Sequence, residues 1–441
     1  MPFSSFDNAI SSRGYVTPEM EKVWSVKETI AGWYAVEAAL AAAQGQVGMI
    51  PESAAAAIVD NASVSSEVEE AISRGAMGNP FTLGLDALRA ELPEDARGWV
   101  HFGATTQDIL DTGRALQIKA SLDLIMHTLR RLIDVLVDLA HEHADTVMVA
   151  RTNGQYALPT TLGYRVATWV KALRRCYGRL QNTRDHVLLV QFSGAVGTYA
   201  AMGEYGSTVA RLVARRLGLE FEEIAWHAQR DTINELACIV SIYGQTLAKI
   251  AEDLFEMQRS DTGEAEEELD PHFSGSSTMP QKRNPFTTMK ISAAARMAAG
   301  AASTMLTQTP SADERDHRAI EVERDCLPRI FAAVEGAGRK LEKLLGNLSF
   351  DADALRANVE AEGVLTMTEA IMMEFAKVIG HGPAHDLVQD FATQYRDAGI
   401  SLENFIAGRP EVANQLKFVD LTEVQRPENY TGLASEIARA I

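Results

Sequence analysis

Residues 233–257 read INELACIVSIYGQTLAKIAEDLFEM. Within them Ile233, Leu236, Val240, Tyr243, Leu247, Ile250, Leu254 and Met257 fall at alternating steps of three and four. With 3.6 residues per helical turn, that spacing draws one apolar seam down a single face. Upstream, Leu122, Ile125, Leu129, Leu132, Leu136 and Leu139 repeat the pattern. Both segments outrun the ordinary globular helix, as the helices of long bundles do. A third long helix is predicted after Pro159 and a fourth after Pro285, because proline suits a helix start. The run Ala294–Ala302 is rich in alanine and glycine and lets neighbouring helices approach closely. No sustained period-two alternation, internal repeat or low-complexity tract is present. The predicted class is all-α in three helical parts. These are residues 1–108, a central bundle of long helices over 109–348, and a smaller part over 349–441 that opens on the turn-like SFDAD.

At 441 residues the chain is long enough for a sizeable core. Hydrophobic residues make up 46% and charged residues 23%, the balance of a globular protein. Its formal net charge of −19 argues against a nucleic-acid partner, since phosphate binding wants a basic surface. The same charge repels an anionic substrate, so a site for one needs a local cluster of Lys, Arg and helix N-termini. Cys176, Cys238 and Cys326 are odd in number and form no C-x-x-C pair, which predicts a reduced, cytoplasmic setting. The opening MPFSSFDNAISSRGYV has neither a basic nor an apolar leader segment, and no apolar run is long enough to span a bilayer. Neither secretion nor a membrane partner is therefore expected.

The segment richest in chemistry is Gly275-Ser276-Ser277-Thr278-Met279-Pro280-Gln281-Lys282-Arg283-Asn284-Pro285. Small residues are followed by a fixed turn, two cations, an amide and a helix start. Successive backbone N–H groups there can hold an anion. Lys282 lies close to the two serines and favours an ionised hydroxyl. The segment is not a P-loop, because the second glycine of that motif is absent. The plainer alternative is a flexible loop capping the next helix. The acidic stretch before it, TGEAEEELDPHFSGSS, reads as an exposed loop, with Glu266, Glu267 and Glu268 a solvated charge run.

GSSTMPQKRNP closely resembles the signature loop of the fumarase/aspartase superfamily. His101-Phe102-Gly103-Ala104-Thr105-Thr106-Gln107-Asp108 resembles the first region that family shares. Arg151-Thr152-Asn153-Gly154-Gln155-Tyr156-Ala157 resembles the second. Ser193-Gly194-Ala195-Val196-Gly197-Thr198-Tyr199 and Gln229-Arg230-Asp231 are similar to segments of adenylosuccinate lyases and bacterial 3-carboxymuconate cycloisomerases. The resemblance covers most of the chain. It implies a homotetramer with a twenty-helix core and four active sites, each built from regions of different subunits. It implies a small di- or tricarboxylate substrate and chemistry without metal or organic cofactor. In the implied reaction a proton leaves the carbon beside a carboxylate, giving an aci-carboxylate whose neighbouring carbon then expels its leaving group. By position, the resemblance makes Ser276 the base, and Lys282 and Asn284 binders of the carboxylate. Thr105 and Thr106 match carboxylate-binding hydroxyls, with Gln107 beside them, and Gln229 matches a further polar contact. The loop around Ser276 acts in the family as a lid, in keeping with water exclusion before proton transfer.

Departures from the family pattern bear on substrate. Adenylosuccinate lyases carry two histidines in the second region; Asn153 and Tyr156 stand in their places. Tyr156 can donate a proton, but its reference pKa of about 10 makes it a weaker acid than histidine, and a packing role is the alternative. Glu314-Arg315-Asp316-His317-Arg318 resembles the segment that contacts nucleotide phosphate. Arg315 and Arg324 keep their places, whereas Ile320 falls where those enzymes have a serine. Arg13-Gly14-Tyr15 only loosely matches their R-Y pair. Elsewhere, His141 and His143 diverge on a helix. His381 and His385 have ligand spacing, yet Gly382 and Pro383 between them disfavour a helix, so no metal site is expected. His227 is read as either site-lining or structural. Three functions stay open: elimination of an amine from an N-substituted aspartate with release of fumarate, cycloisomerisation of a carboxylated muconate, and a non-catalytic structural role.

Overall fold

The computed structural model describes residues 6, 9–73, 79–268, 276, 278–308 and 310–441. Their longest helices are α1 (Thr106–Glu142), α2 (Leu162–Val187), α3 (Asp231–Met257), α4 (Phe286–Thr307) and α5 (His317–Leu345). The two seams lie on α1 and α3. Leu122, Ile125, Leu129, Leu132, Leu136, Leu236, Val240, Leu247 and Leu254 are all fully buried. Burying one such side chain contributes about 1.5–3 kcal/mol, so the seams are what hold these helices in place.

The chain clusters into two compact units. The first comprises Met1–Arg131, Arg175–Ala251 and Thr287–Glu342. In it, Gly244 of α3 lets three helices meet: a Cβ there would stand 3.0 Å from Val334 and 3.8 Å from Ala295. The Gln245 amide locks the same crossing by donating to the Ala295 carbonyl at 2.9 Å. Gly336 of α5 leaves no room at all, since a Cβ would come within 2.0 Å of the Tyr15 carbonyl oxygen. Helix Val26–Gln46 packs on Glu52–Asn61 and on Gly206–Leu217.

The second unit comprises Leu132–Arg174, Glu252–Phe286 and Lys343–Ile441. Its C-terminal helices close on Met367, Ile371, Phe375, Phe391, Leu402 and Phe405. Gly163 packs against the end of α1, where a Cβ would lie 2.5 Å from the Ala140 carbonyl oxygen. Among the described residues, this unit holds two small two-stranded antiparallel sheets, of which the first is a hairpin. Strand β1 (Val147–Thr152) pairs with β2 (Gln155–Thr161), and β3 (Ala265–Glu267) pairs with β4 (Leu348–Phe350).

Two expectations are corrected here. Pro159 does not open a helix; it sits in β2 opposite Val149, and α2 begins at Leu162. Asn153 and Gly154 have φ of 53° and 78°, the pair of positive angles a type I′ turn needs, so the chain folds back as a hairpin before the helix. A two-stranded ribbon consists of edges only, which is where proline is tolerated. His381 and His385 do lie on a helix, His381–Ala398, with Gly382 and Pro383 in its first turn, where no intrahelical N–H is needed. Among the described residues, no group of His, Cys, Asp and Glu has metal-ligand geometry, and no helix is long and apolar enough to cross a membrane.

Candidate active site

The candidate residues divide between the units. Thr105, Thr106, Gln107, Gln229, Arg315 and Arg324 belong to the first; Asn153, Tyr156, Ser276, Lys282 and Asn284 belong to the second.

In the first unit the sequence HFGATTQD leads into α1 through a tight turn. His101 has φ 67° and Gly103 φ 75°. Buried Glu37 holds the turn by accepting from the His101 backbone N–H at 3.1 Å and contacting its ring Nδ1 at 2.6 Å. The Gln44 amide donates to the Phe102 carbonyl at 2.6 Å. Thr105 then caps α1. Its backbone N–H donates to Asp108 Oδ2 at 3.1 Å, half of a capping box. The Thr105 hydroxyl is left for another partner and accepts from Arg315 Nη1 at 2.8 Å. Arg315 also donates to the Ala195 carbonyl. Its Nε is buried without a partner, and no carboxylate pairs with it among the described residues. A guanidinium left uncompensated beside a hydroxyl is the local positive charge an anion needs.

Beneath this surface lies a network of buried charge. Arg230 donates to Asp111 at 2.8 and 3.1 Å and to Glu323 at 2.7 Å, and Arg114 donates to Glu323 at 2.7 Å. Burial disfavours the ionised form of Asp111, yet Arg230 and Arg114 outweigh it and hold the carboxyl below its usual range. For Arg230, burial is likewise overcome by Asp111 and Glu323, and its pKa rises. Two cations face two anions, so the cluster is neutral and fixes geometry instead of attracting substrate. Gln107, 3% exposed, belongs to this network: its amide donates to Asp111 and to the His227 carbonyl, both at 2.9 Å. Gln229 is exposed and lines a cleft with Trp226, Asp231 and Glu235. Arg324 pairs with Glu321 at 2.6 Å, and Ile320 is buried at 1% exposure.

In the second unit, Ser276 and its loop carry the clearest geometry. The Ser276 Oγ accepts from the backbone N–H of Met279 at 3.0 Å and of Thr278 at 3.4 Å. Two N–H dipoles aimed at one hydroxyl oxygen favour its deprotonated form. Gly275 and Ser277, with residues 269–274 of the acidic stretch, lie outside the described residues. Met279, Lys282 and Asn284 line a cleft of about 1090 Å³ together with Arg259, Glu266 and Arg283. Arg283 pairs with Glu266, so the end of the loop returns onto the strand that precedes it.

Tyr156 stands opposite Arg151 across the hairpin, with the guanidinium 5.1 Å from its ring centroid. Arg151 is fixed in turn by two bonds to buried Glu264, at 2.6 and 3.0 Å. Glu264 also accepts from Asn358 at 2.9 Å. Burial opposes the Arg151 charge, but the Glu264 pair wins and raises its pKa. Asn153 is exposed at the hairpin tip, where its positive φ makes it a turn residue. Sequence reasoning assigned no role to Asp108, Asp111, Arg151, Glu264 or Glu323. The T-x-x-D spacing of Thr105 and Asp108 is a capping-box signal that points to the first of these; the others carry no local signal.

The family model described as "Lyase" matches residues 13–300, and "Adenylosuccinate lyase C-terminus" matches residues 365–441. The chain belongs to this lyase family, within the fumarase/aspartase superfamily. It is 36% identical to an adenylosuccinate lyase of Methanocaldococcus jannaschii, covering 96% of this chain and 93% of that one. It is 31% identical to an N-acetyl-S-(2-succino)cysteine lyase of Dickeya dadantii, covering 98% and 95%. The solved 3-carboxy-cis,cis-muconate lactonizing enzyme of Pseudomonas putida superposes with a TM-score of 0.89 at 32% identity, covering 98% of each chain.

Proposed function

We propose that the protein eliminates an amine from an N-substituted aspartate and releases fumarate. Ser276 takes the proton from the carbon beside a carboxylate, Lys282 and Asn284 stabilise the aci-carboxylate that forms, and the C–N bond then breaks as a basic nitrogen leaves with a proton it carries from solution. The observation that carries this reading is the pair of backbone N–H groups on Ser276 Oγ, which supports a serine able to act as a base. Thr105, Thr106 and Arg315 hold a carboxylate of the substrate, Gln229 contacts it, and no metal or organic cofactor takes part. Each complete site draws on several copies in a homotetramer.

The substituent on nitrogen carries no nucleotide phosphate. Arg324 is engaged by Glu321, Arg318 is engaged by Asp316, and Ile320 is buried where a phosphate-binding serine would stand. Of the arginines in this segment, Arg315 has no carboxylate partner among the described residues, and one guanidinium suits one carboxylate. A second reading, lactonising cycloisomerisation of a carboxylated muconate, is favoured by the 0.89 superposition on the lactonizing enzyme. A panel of N-substituted aspartates and carboxylated muconates, followed by ultraviolet absorbance, separates the two. Fumarate released from an aspartate supports the first, and turnover of a muconate without fumarate overturns it.

A further inference from the structure

Three of the segments singled out in the sequence, HFGATTQD, SGAVGTY and the run Trp226–Asp231, converge on one carboxylate in the first unit. Asp108 is fully buried. Its Oδ2 accepts from the backbone N–H of Thr105 at 3.1 Å and of Gly194 at 3.0 Å. Its Oδ1 accepts from the backbone N–H of Ser193 at 3.2 Å and contacts His227 Nε2 at 2.9 Å. An ionised carboxyl accepts at both oxygens, and two bonds on each fill them. His227 is 1% exposed, and its Nδ1 has no partner among the described residues. The proton therefore sits on Nε2 and points at Asp108. Gly194 has φ 80°, so its N–H reaches the carboxylate only in a conformation that glycine adopts readily. Gln107 and Gln191 stitch the same segments a second time: Gln107 donates to the His227 carbonyl at 2.9 Å, while Gln191 accepts from the Trp226 N–H at 2.8 Å and donates to Ser193 Oγ at 3.0 Å.

We propose that Asp108, oriented by His227, is a positioning residue for the carboxylate pocket: it ties the Thr105 turn to the Ser193–Gly194 turn and so fixes the frame on which the Thr105 hydroxyl and Arg315 meet. Arg315 bridges these same two turns, bonding Thr105 on one side and Ala195 on the other. If the turns part, the guanidinium loses one of its supports. The inference rests on the reading of Thr105, Thr106 and Arg315 as carboxylate ligands.

Three variants test it. His227→Gln keeps an N–H donor where Nε2 stands; His227→Leu keeps apolar bulk and removes the donor. Asp108→Asn leaves one acceptor oxygen for four donors and turns an amide N–H₂ on the rest. Two measurements are made on each folded variant: hydrogen exchange by mass spectrometry, and fumarate binding by quenching of tryptophan fluorescence. In His227→Leu and Asp108→Asn, exchange over residues 103–107, 191–197 and 224–229 is expected to quicken at least about tenfold, with the rest of the chain unchanged. Fumarate affinity is expected to fall at least about tenfold in both, and to stay within about threefold of wild type in His227→Gln. If Asp108→Asn does not fold, the two His227 variants carry the test. Unchanged exchange in His227→Leu overturns the proposal. So does faster exchange with undiminished fumarate binding, which would make the pair structural only. A wild-type protein that binds no fumarate sinks the carboxylate reading and the positioning role with it, whereas wild-type binding that His227→Leu leaves intact sinks the positioning role alone.

Discussion

Replacing Ser276 by alanine removes the one oxygen on which the Thr278 and Met279 amides converge. Turnover is expected to fall at least about a hundredfold, the lower end of general-base contributions, while binding and fold persist. Near-normal steady-state turnover in the alanine variant would defeat the assignment. Tyr156 stands differently. Its ring lies against Arg151, a contact phenylalanine keeps, while the hydroxyl's hydrogen bond to Arg151 is lost. Tyr156→Phe is expected to keep at least about a tenth of wild-type turnover, a cost under roughly 1.4 kcal/mol. A thousandfold loss with unchanged substrate affinity would make it the general acid. Ser276, Lys282 and Asn284 can be proposed from the sequence because eleven consecutive residues carry the motif. Glu264 was not, because its partners Arg151 and Asn358 lie 113 and 94 positions away. A buried ion pair between distant positions leaves no local spacing to read.

Helices announced themselves and short strands did not. The seams of α1 and α3 repeat over many turns, so periodicity alone locates them, whereas β3 and β4 have three residues each and no period to show. The hairpin signal that was present, Asn153-Gly154, is two residues long. Where the long helices pack, one group makes a pH-dependent contribution. Glu335 of α5 is 4% exposed; it accepts from the Thr128 hydroxyl of α1 at 2.8 Å, and its other oxygen has no partner among the described residues. Burial raises its pKa to about 7, with Thr128 and Arg339 opposing, and Glu19 and Glu342 adding to the rise. Below about pH 4.5 the folded and unfolded chains both hold this proton. Between there and pH 7 the folded chain alone keeps it, so stability falls as pH rises, by roughly 3 kcal/mol in all. Glu335→Gln cannot ionise. Its melting temperature should exceed that of wild type by more at pH 8 than at pH 5, and an equal gap at both would contradict the burial argument.

The assembled protein is expected to be a homotetramer. Ile242 of α3, Met289 and Leu306 of α4 are 43%, 49% and 60% exposed in the single chain, apolar surface on helices whose other faces are already buried. Light scattering at micromolar concentration should report four copies, and a monomer there would count against both the assembly and the shared site. With a formal charge of −19 on every copy, added salt should strengthen association by screening.

The tight glycines have a bearing on how this chain would answer a saturation library scored by growth. Gly163 and Gly336 admit no β-carbon, because a carbonyl oxygen already occupies the place, at 2.5 and 2.0 Å. Every substitution there is expected to fail, as uniformly as at Ser276, although neither position touches a reacting atom. Intolerance alone would enrol both among the catalytic residues. A counter-screen for soluble expression separates them: alleles at 163 and 336 should vanish from the soluble pool, and alleles at 276 should remain in it.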